Sequence, residues 1–169
     1  MSKISAHPTV PAGRLRAAEA RDIPAMFHLR AHTADNPISQ ARLAELGITP
    51  DSLLLQMQTP SYRAWVWEEQ DRIQAFCAAE ASQGEVLVLA VLAGHEGRGL
   101  GRALLQEALR FLQSSCSHQP WLMAGQDSKL RSHGFYRRLG WQPSGRVDGH
   151  GDEELVYAGA TLASTPKPS

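Results

Sequence analysis

The chain has 169 residues, 43% of them hydrophobic, enough for one domain with a substantial core. Lys plus Arg and Asp plus Glu balance at 17 each, which excludes a strong electrostatic draw toward nucleic acid or an anionic membrane. Cys77 and Cys116 are the two cysteines and lack Cys-x-x-Cys spacing; with no long apolar run near the N-terminus, this suits a cytoplasmic protein with reduced thiols.

Residues 1–13, with two prolines and a glycine, read as a flexible leader. A short first strand is expected from Leu15 to Ala18. Asp22 offers a helix cap and Pro24 suits the first turn of the helix that follows. Pro37 interrupts, and a second amphipathic piece runs from Ile38 to Leu46, stopped by Gly47. Thr49-Pro50-Asp51 is a strong start for a third helix, reaching about Met57. From Tyr62 the pattern alternates. Tyr62 to Trp67 and Ile73 to Ala79 form an antiparallel hairpin about Glu69-Gln70-Asp71. Val86 to Leu92 is an apolar fourth strand whose side chains face both ways, so both its faces should be covered. Leu100, Leu104, Ala108, Phe111 and Leu112 make the buried stripe of a long helix. A short strand at Trp121 to Ala124, a helix from about Ser128 to Gly140, and two closing strands about a turn at Asp148 to Gly151 complete a domain over residues 14–159. Residues 160–169 read as a disordered tail.

Between the fourth strand and the long helix lies Glu96-Gly97-Arg98-Gly99-Leu100-Gly101-Arg102. Closely spaced glycines can take backbone angles that a Cβ forbids, and the first N–H groups of a helix lack intrahelical partners. Such a turn is suited to an anion. It is neither a Walker A loop, since no Gly-Lys pair occurs in the chain, nor a dinucleotide fingerprint, since the third glycine position falls on Arg102 or Leu104.

The segment resembles the pyrophosphate loop of the GNAT superfamily of N-acetyltransferases, Gln/Arg-x-x-Gly-x-Gly/Ala, with Glu96 at the first position. Phe135-Tyr136-Arg137-Arg138-Leu139-Gly140-Trp141, with Tyr136 35 residues after Gly101, resembles the superfamily's later Tyr-x-x-x-Gly-Phe/Trp signature. Lys129 and Ser132 stand where relatives often carry Asn and Ala. The resemblance implies an α/β (α+β) fold: a mixed, mostly antiparallel central sheet flanked by helices, its fourth and fifth strands splayed. It implies acetyl-CoA as cosubstrate, with the pantetheine arm bonded to the backbone of Val91, Leu92 and Ala93. Pyrophosphate would lie on Gly97, Arg98, Gly99, Leu100, Gly101 and Arg102. The implied activity is acyl transfer to a small-molecule or protein amine by direct attack.

Tyr136 matches the family's general acid for the departing thiolate, a role typically worth ~10²–10⁴-fold. The fourth strand holds no carboxylate for a base, and Glu80, ending the third strand, is the candidate. His32, Asp35 and Asn36 fall in the loop that borders the acceptor pocket in this fold. The scattered histidines show no His-Glu-x-x-His spacing, so no metal is expected, although His28 and His32 share a helix face. Cys116 has no base near it in sequence. Pro143 and the Gly-rich turn interrupt the last strands, from which a monomer or closed homodimer is expected. The runner-up reading is a catalytically weak acyl-CoA-binding regulator.

Overall fold

A computed structural model describes residues 13–160 and 162. The leader, apart from Gly13, and the tail beyond Leu162 lie outside the described residues. Of the tail, Ala160 accepts a hydrogen bond from the Tyr157 hydroxyl (3.0 Å), and the Leu162 N–H donates to Gln113 (3.0 Å).

Period-2 alternation in β2 (Tyr62–Glu69) and β3 (Arg72–Glu80) sends side chains to opposite faces of one sheet. Trp65, Ala75, Cys77 and Ala79 point to one core, and Ala64, Val66, Phe76 and Ala78 to another. β1 (Arg14–Ala17) edges this pair, and β4 (Glu85–Val91) follows it. β5 (Trp121–Gly125), β6 (Trp141–Val147) and β7 (Asp152–Tyr157) complete seven strands in the order β1-β2-β3-β4-β5-β7-β6. Every neighbouring pair is antiparallel except β4 and β5. The sheet is mixed, mostly antiparallel and flanked by helices, as expected.

Helix α1 (Ile23–Ala31) covers one face through Met26 and Leu29, while α2 (Gln40–Glu45) and α3 (Pro50–Met57) pack outside it around Phe27 and Leu43. α3 starts where Thr49 and Ser52 cap each other's backbone N–H, the reciprocal bonding that the local sequence encodes. Helix α4 (Leu100–Ser115) covers the other face with the expected stripe of Leu100, Leu104, Ala108, Phe111 and Leu112. β4 contributes Leu89 and Val91 to that core, and Val88, Ala90 and Leu92 pack on the opposite one. Leu87 departs from this pattern. It has no partner on β3, where Ala78 pairs with Val88 and Ala79 with Val86, and this bulge leaves it exposed.

Helix α5 spans Arg131–Arg138, a later start than Ser128. Asp127 intervenes: its Oδ1 accepts from the Lys129 N–H (2.9 Å) and its carbonyl from the Leu130 N–H (3.0 Å). That turn spends the residues that periodicity alone assigns to the helix. The hairpin between β2 and β3 turns through Gln70 and Asp71, both at positive φ (49° and 60°), without glycine.

β1 is held to α1 by charge. The Arg16 guanidinium makes two bonds to Asp22 (2.7 and 2.9 Å) and its Nε a third to Glu68 (3.0 Å). Asp22 is 5% exposed and also accepts from the Glu19 N–H (2.8 Å). Burial by itself would raise the Asp22 pKa, but the bonds from Arg16 and the Glu19 N–H prevail and hold it below the usual carboxylate value. Asp22→Asn should lower unfolding free energy by ~2 kcal/mol, because it leaves a guanidinium largely removed from water with Glu68 as its remaining carboxylate partner. Urea denaturation at unchanged m-value measures this. Since the folded pKa is depressed, the contribution is fully present above the unfolded value, ~3.9, and is lost as pH falls through the folded value. A wild-type protein that stayed as stable as the Asn variant at neutral pH would contradict the assignment.

Candidate active site

The fourth and fifth strands meet at one register pair, Glu85 with Trp121, and then part. Trp121 pins this apex through its N–H to the Gly84 carbonyl (3.0 Å) and its indole N–H to the Gln83 carbonyl (2.9 Å). At the far end of β4, the Leu92 N–H bonds the Gln74 carbonyl (2.9 Å) on the β3 side. Antiparallel hydrogen bonding alternates along a strand, so the backbone groups of Leu89 and Val91 face away from β3, toward the gap.

This corrects one detail of the sequence reading. Val91 offers its backbone to the gap, but the Leu92 N–H is taken by Gln74 and the Ala93 N–H by the His32 carbonyl (2.9 Å). Leu89 is the residue that the sequence did not single out; only knowledge of which edge of β4 is open identifies it.

Beyond Ala93 the glycine loop turns through positive φ at Gly94, Gly97 and Gly99 (90°, 76° and 83°). Gly99 caps α4, and the Ala103 N–H makes the first helical bond to its carbonyl (3.1 Å). The N–H groups of Leu100, Gly101 and Arg102 therefore lack helical acceptors. A Cβ on Gly99 would meet nothing within 4 Å, so the glycine serves the backbone angle and leaves open space above it. Gly101 packs closely: a Cβ there would touch the Phe135 ring at 3.4 Å and Val91 at 3.6 Å. Glu96 folds the loop on itself through a bond from the Gly94 N–H (2.9 Å). Arg98 turns away to Glu69 (2.7 Å), which also accepts the Trp67 indole N–H (2.9 Å); these two bonds hold the Glu69 pKa below its ordinary value.

The gap and loop share one cavity of about 530 Å³, within the usual range for small-ligand sites. Leu89, Val91, Gly97, Gly99, Arg102 and Tyr136 all line it. Tyr136 is 9% exposed and sits edge-on between Phe135 and Trp141, with ring centroids at 5.2 and 6.3 Å. Burial raises the phenol pKa, with the Cys77 thiol adding to the effect, so the hydroxyl stays protonated through neutral pH.

Two carboxylates hold α5, the helix that carries Tyr136. Its N-cap is Leu130, which has no side-chain acceptor, and Asp35 supplies one from the loop after α1, bonding the Ser132 N–H (3.1 Å). Arg137 is paired with Glu153 of β7 near the other end. Asp35 lines the cavity together with Thr33 and Ala34, which the sequence reading did not select. His32 and Asn36 do not line it. His32 stacks on His28 (4.1 Å between centroids), and its Nδ1 meets the His28 carbonyl (2.7 Å).

Glu80 is also elsewhere. It lies at the apex end of the sheet, where its carboxylate accepts from the Ser82 N–H (3.2 Å), the Ser82 hydroxyl and the Gln83 N–H (3.3 Å). Burial opposes the charged form there, but these hydrogen bonds with that from Ser61 lower its pKa. Adjacency in sequence to the fourth strand put it at the wrong end of the gap. Cys116, read as lacking a base, has the His118 Nδ1 at 3.1 Å, and neither residue lines the cavity.

Residues 60–143 match the acetyltransferase (GNAT) domain. No curated protein matches the sequence. The fold is shared with the PaiA N-acetyltransferase from Thermoplasma acidophilum, solved in complex with coenzyme A (TM-score 0.72, 14% identity, 86% of this chain and 98% of that one). It is also shared with the ribosomal-protein-S18-alanine N-acetyltransferase from Escherichia coli (TM-score 0.61, 20% identity, 90% and 100%). A spermidine N-acetyltransferase chimera from Vibrio cholerae and hSSAT aligns at TM-score 0.66 and 17% identity over 86% and 94%. Two superfamily segments, the splayed sheet and the domain match place the chain in the GNAT acetyltransferase family. No helix among the described residues is long and apolar enough to cross a membrane.

The cap from Asp35 predicts a graded series. Asp35→Ala removes the one side-chain acceptor that the described residues place at the start of α5 and should cost ~1 kcal/mol, whereas Asp35→Asn keeps an acceptor oxygen and should cost less than half of that. Equilibrium denaturation of the two variants decides it, and equal losses would contradict the capping role.

Proposed function

We propose that this protein transfers an acetyl group from acetyl-CoA to a primary amine, of a small molecule or of a protein, by direct attack without an acyl-enzyme. The observation that carries this reading is the joining of three features in one cavity: an unpaired strand edge, a glycine loop with free N–H groups, and a buried phenol. The open edge at Leu89 and Val91 suits the amides of a pantetheine arm, which need partners as a strand does. The N–H groups at the start of α4 suit pyrophosphate, with the helix dipole adding attraction. The coenzyme A complex of the PaiA relative supports the same ligand, and the spermidine and ribosomal-protein enzymes support an amine acceptor.

Bound acetyl-CoA supplies the thioester carbonyl that the amine attacks. In this reading Tyr136, which lines the cavity and is neutral at physiological pH, donates to the sulfur as it leaves. Neither Glu80 nor Glu85 lines the cavity, so no carboxylate of the sheet is placed to take the ammonium proton. That same observation favours the alternative, a protein that binds acyl-CoA without turning it over. Thiol release from acetyl-CoA with a panel of amines separates the two.

Two substitutions test the site. Gly99→Val should abolish acetyl-CoA binding in calorimetry while the protein remains folded, because a β-branched residue is strained at φ 83° and its side chain also enters the space above the loop. Unchanged affinity would remove the loop from the reading. Tyr136→Phe keeps the ring and its packing, so acetyl-CoA affinity should hold while the single-turnover rate falls at least ~10-fold, about 1.4 kcal/mol. A Phe variant at full speed would show that Tyr136 only packs.

A further inference from the structure

The glycine loop offers less positive charge than its sequence suggests. Arg98 is committed to Glu69, and Glu96 places a carboxylate in the loop whose Oε1 is buried without a hydrogen-bond donor among the described residues. Backbone N–H groups remain, but a ligand carrying several phosphate charges needs more than that from its surroundings.

Arg102 is the loop's cation that lines the cavity, and the opposite wall adds two more. Arg131 and Arg138 of α5 both line it, and neither pairs with an acidic side chain among the described residues. Arg131 reaches across to the loop, its Nη2 standing 3.7 Å from where a Cβ on Gly97 would lie. Arg138 folds back along its helix, its Nη1 2.8 Å from the position of a Cβ on Gly134. A glycine in mid-helix costs ~1 kcal/mol relative to Ala. Here it gives the Arg138 guanidinium room to lie along the helix.

We propose that Arg131 and Arg138 form the second jaw of a phosphate clamp, gripping the phosphate oxyanions of acyl-CoA against the N–H groups of the glycine loop. Guanidinium forks match phosphate oxygens and stay charged at every physiological pH. The proposal rests on the acyl-CoA reading above and adds the residues that recognise the phosphorylated end of the ligand. It also ties that end to α5, the helix carrying Tyr136.

Calorimetry with acetyl-CoA and with 3′-dephospho-acetyl-CoA, at low and high salt, tests it. The Arg131→Gln/Arg138→Gln double variant should bind acetyl-CoA at least ~10-fold more weakly, with the difference narrowing in high salt. The corresponding Lys double variant, which keeps the charge, should recover part of that affinity. A loss that persists with the dephospho compound assigns the arginines to the pyrophosphate, and one that vanishes assigns them to the 3′-phosphate; either supports the clamp. Affinity within twofold of wild type, or an equal loss in the Gln and Lys variants, would overturn it. If the Gln variant binds normally while Gly99→Val does not, the clamp alone fails. Wild-type protein that binds no acetyl-CoA would overturn the acyl-CoA reading as well.

Discussion

One missing set of strand hydrogen bonds shapes the rest of the site. A parallel pair that began at Glu85 and Trp121 and continued would leave a closed sheet with no cavity. The pair is fixed at its apex by Trp121 and then opens, aided by the bulge at Leu87. The groups exposed in this way are backbone N–H and C=O, which are costly to bury without partners. The sheet is thus left with a demand that a ligand bearing amides can meet. The glycine loop stands at the wide end because β4 leads directly into it.

The second requirement is that the wide end be held open in a fixed shape. The loop after α1 does this by touching both sides. His32 accepts from Ala93 at the end of β4, and Asp35 caps α5. Arg137 and Glu153 tie α5 to β7. Tyr136 is therefore set in place by contacts from three separate parts of the chain, and its ring is locked between Phe135 and Trp141.

What was legible in the sequence was what neighbours in the sequence decide. Thr49-Pro50 set the start of α3 because capping is local, and the stripe on α4 was readable because helical period is local. The glycine loop and Tyr136 were singled out by local motifs, and the fold brings them to one cavity. The start of α5 was misplaced because a side chain, Asp127, competed for backbone groups that a periodic pattern treats as free. Choosing Leu92 and Ala93 over Leu89 required knowing which edge of β4 faces a gap. Glu80 was close in sequence and distant in the fold, since a hairpin carries its residues to the end opposite the loop. Asp35 was named for the pocket it borders, but its bond to Ser132 spans 97 positions and no local pattern announces it. Arg131 stayed unremarked likewise, for its neighbour is Gly97.

The apex at Trp121 also divides the sheet. From β1 to β4 the sheet grows by adding each strand beside the previous one, with the helices of that half packed on its own face. β5, β7 and β6 form a second antiparallel group, joined to the first by the single parallel pair and by α4 beneath both. Within each group the strands are bonded along several register pairs, whereas the two groups share one, Glu85 with Trp121. The seam between them is the gap that opens into the cavity. A molecule bonded to both walls would bridge two groups of strands that share a single register pair, and its binding energy would oppose their parting. The place where neighbouring strands share fewest bonds is the place where such a molecule would add them.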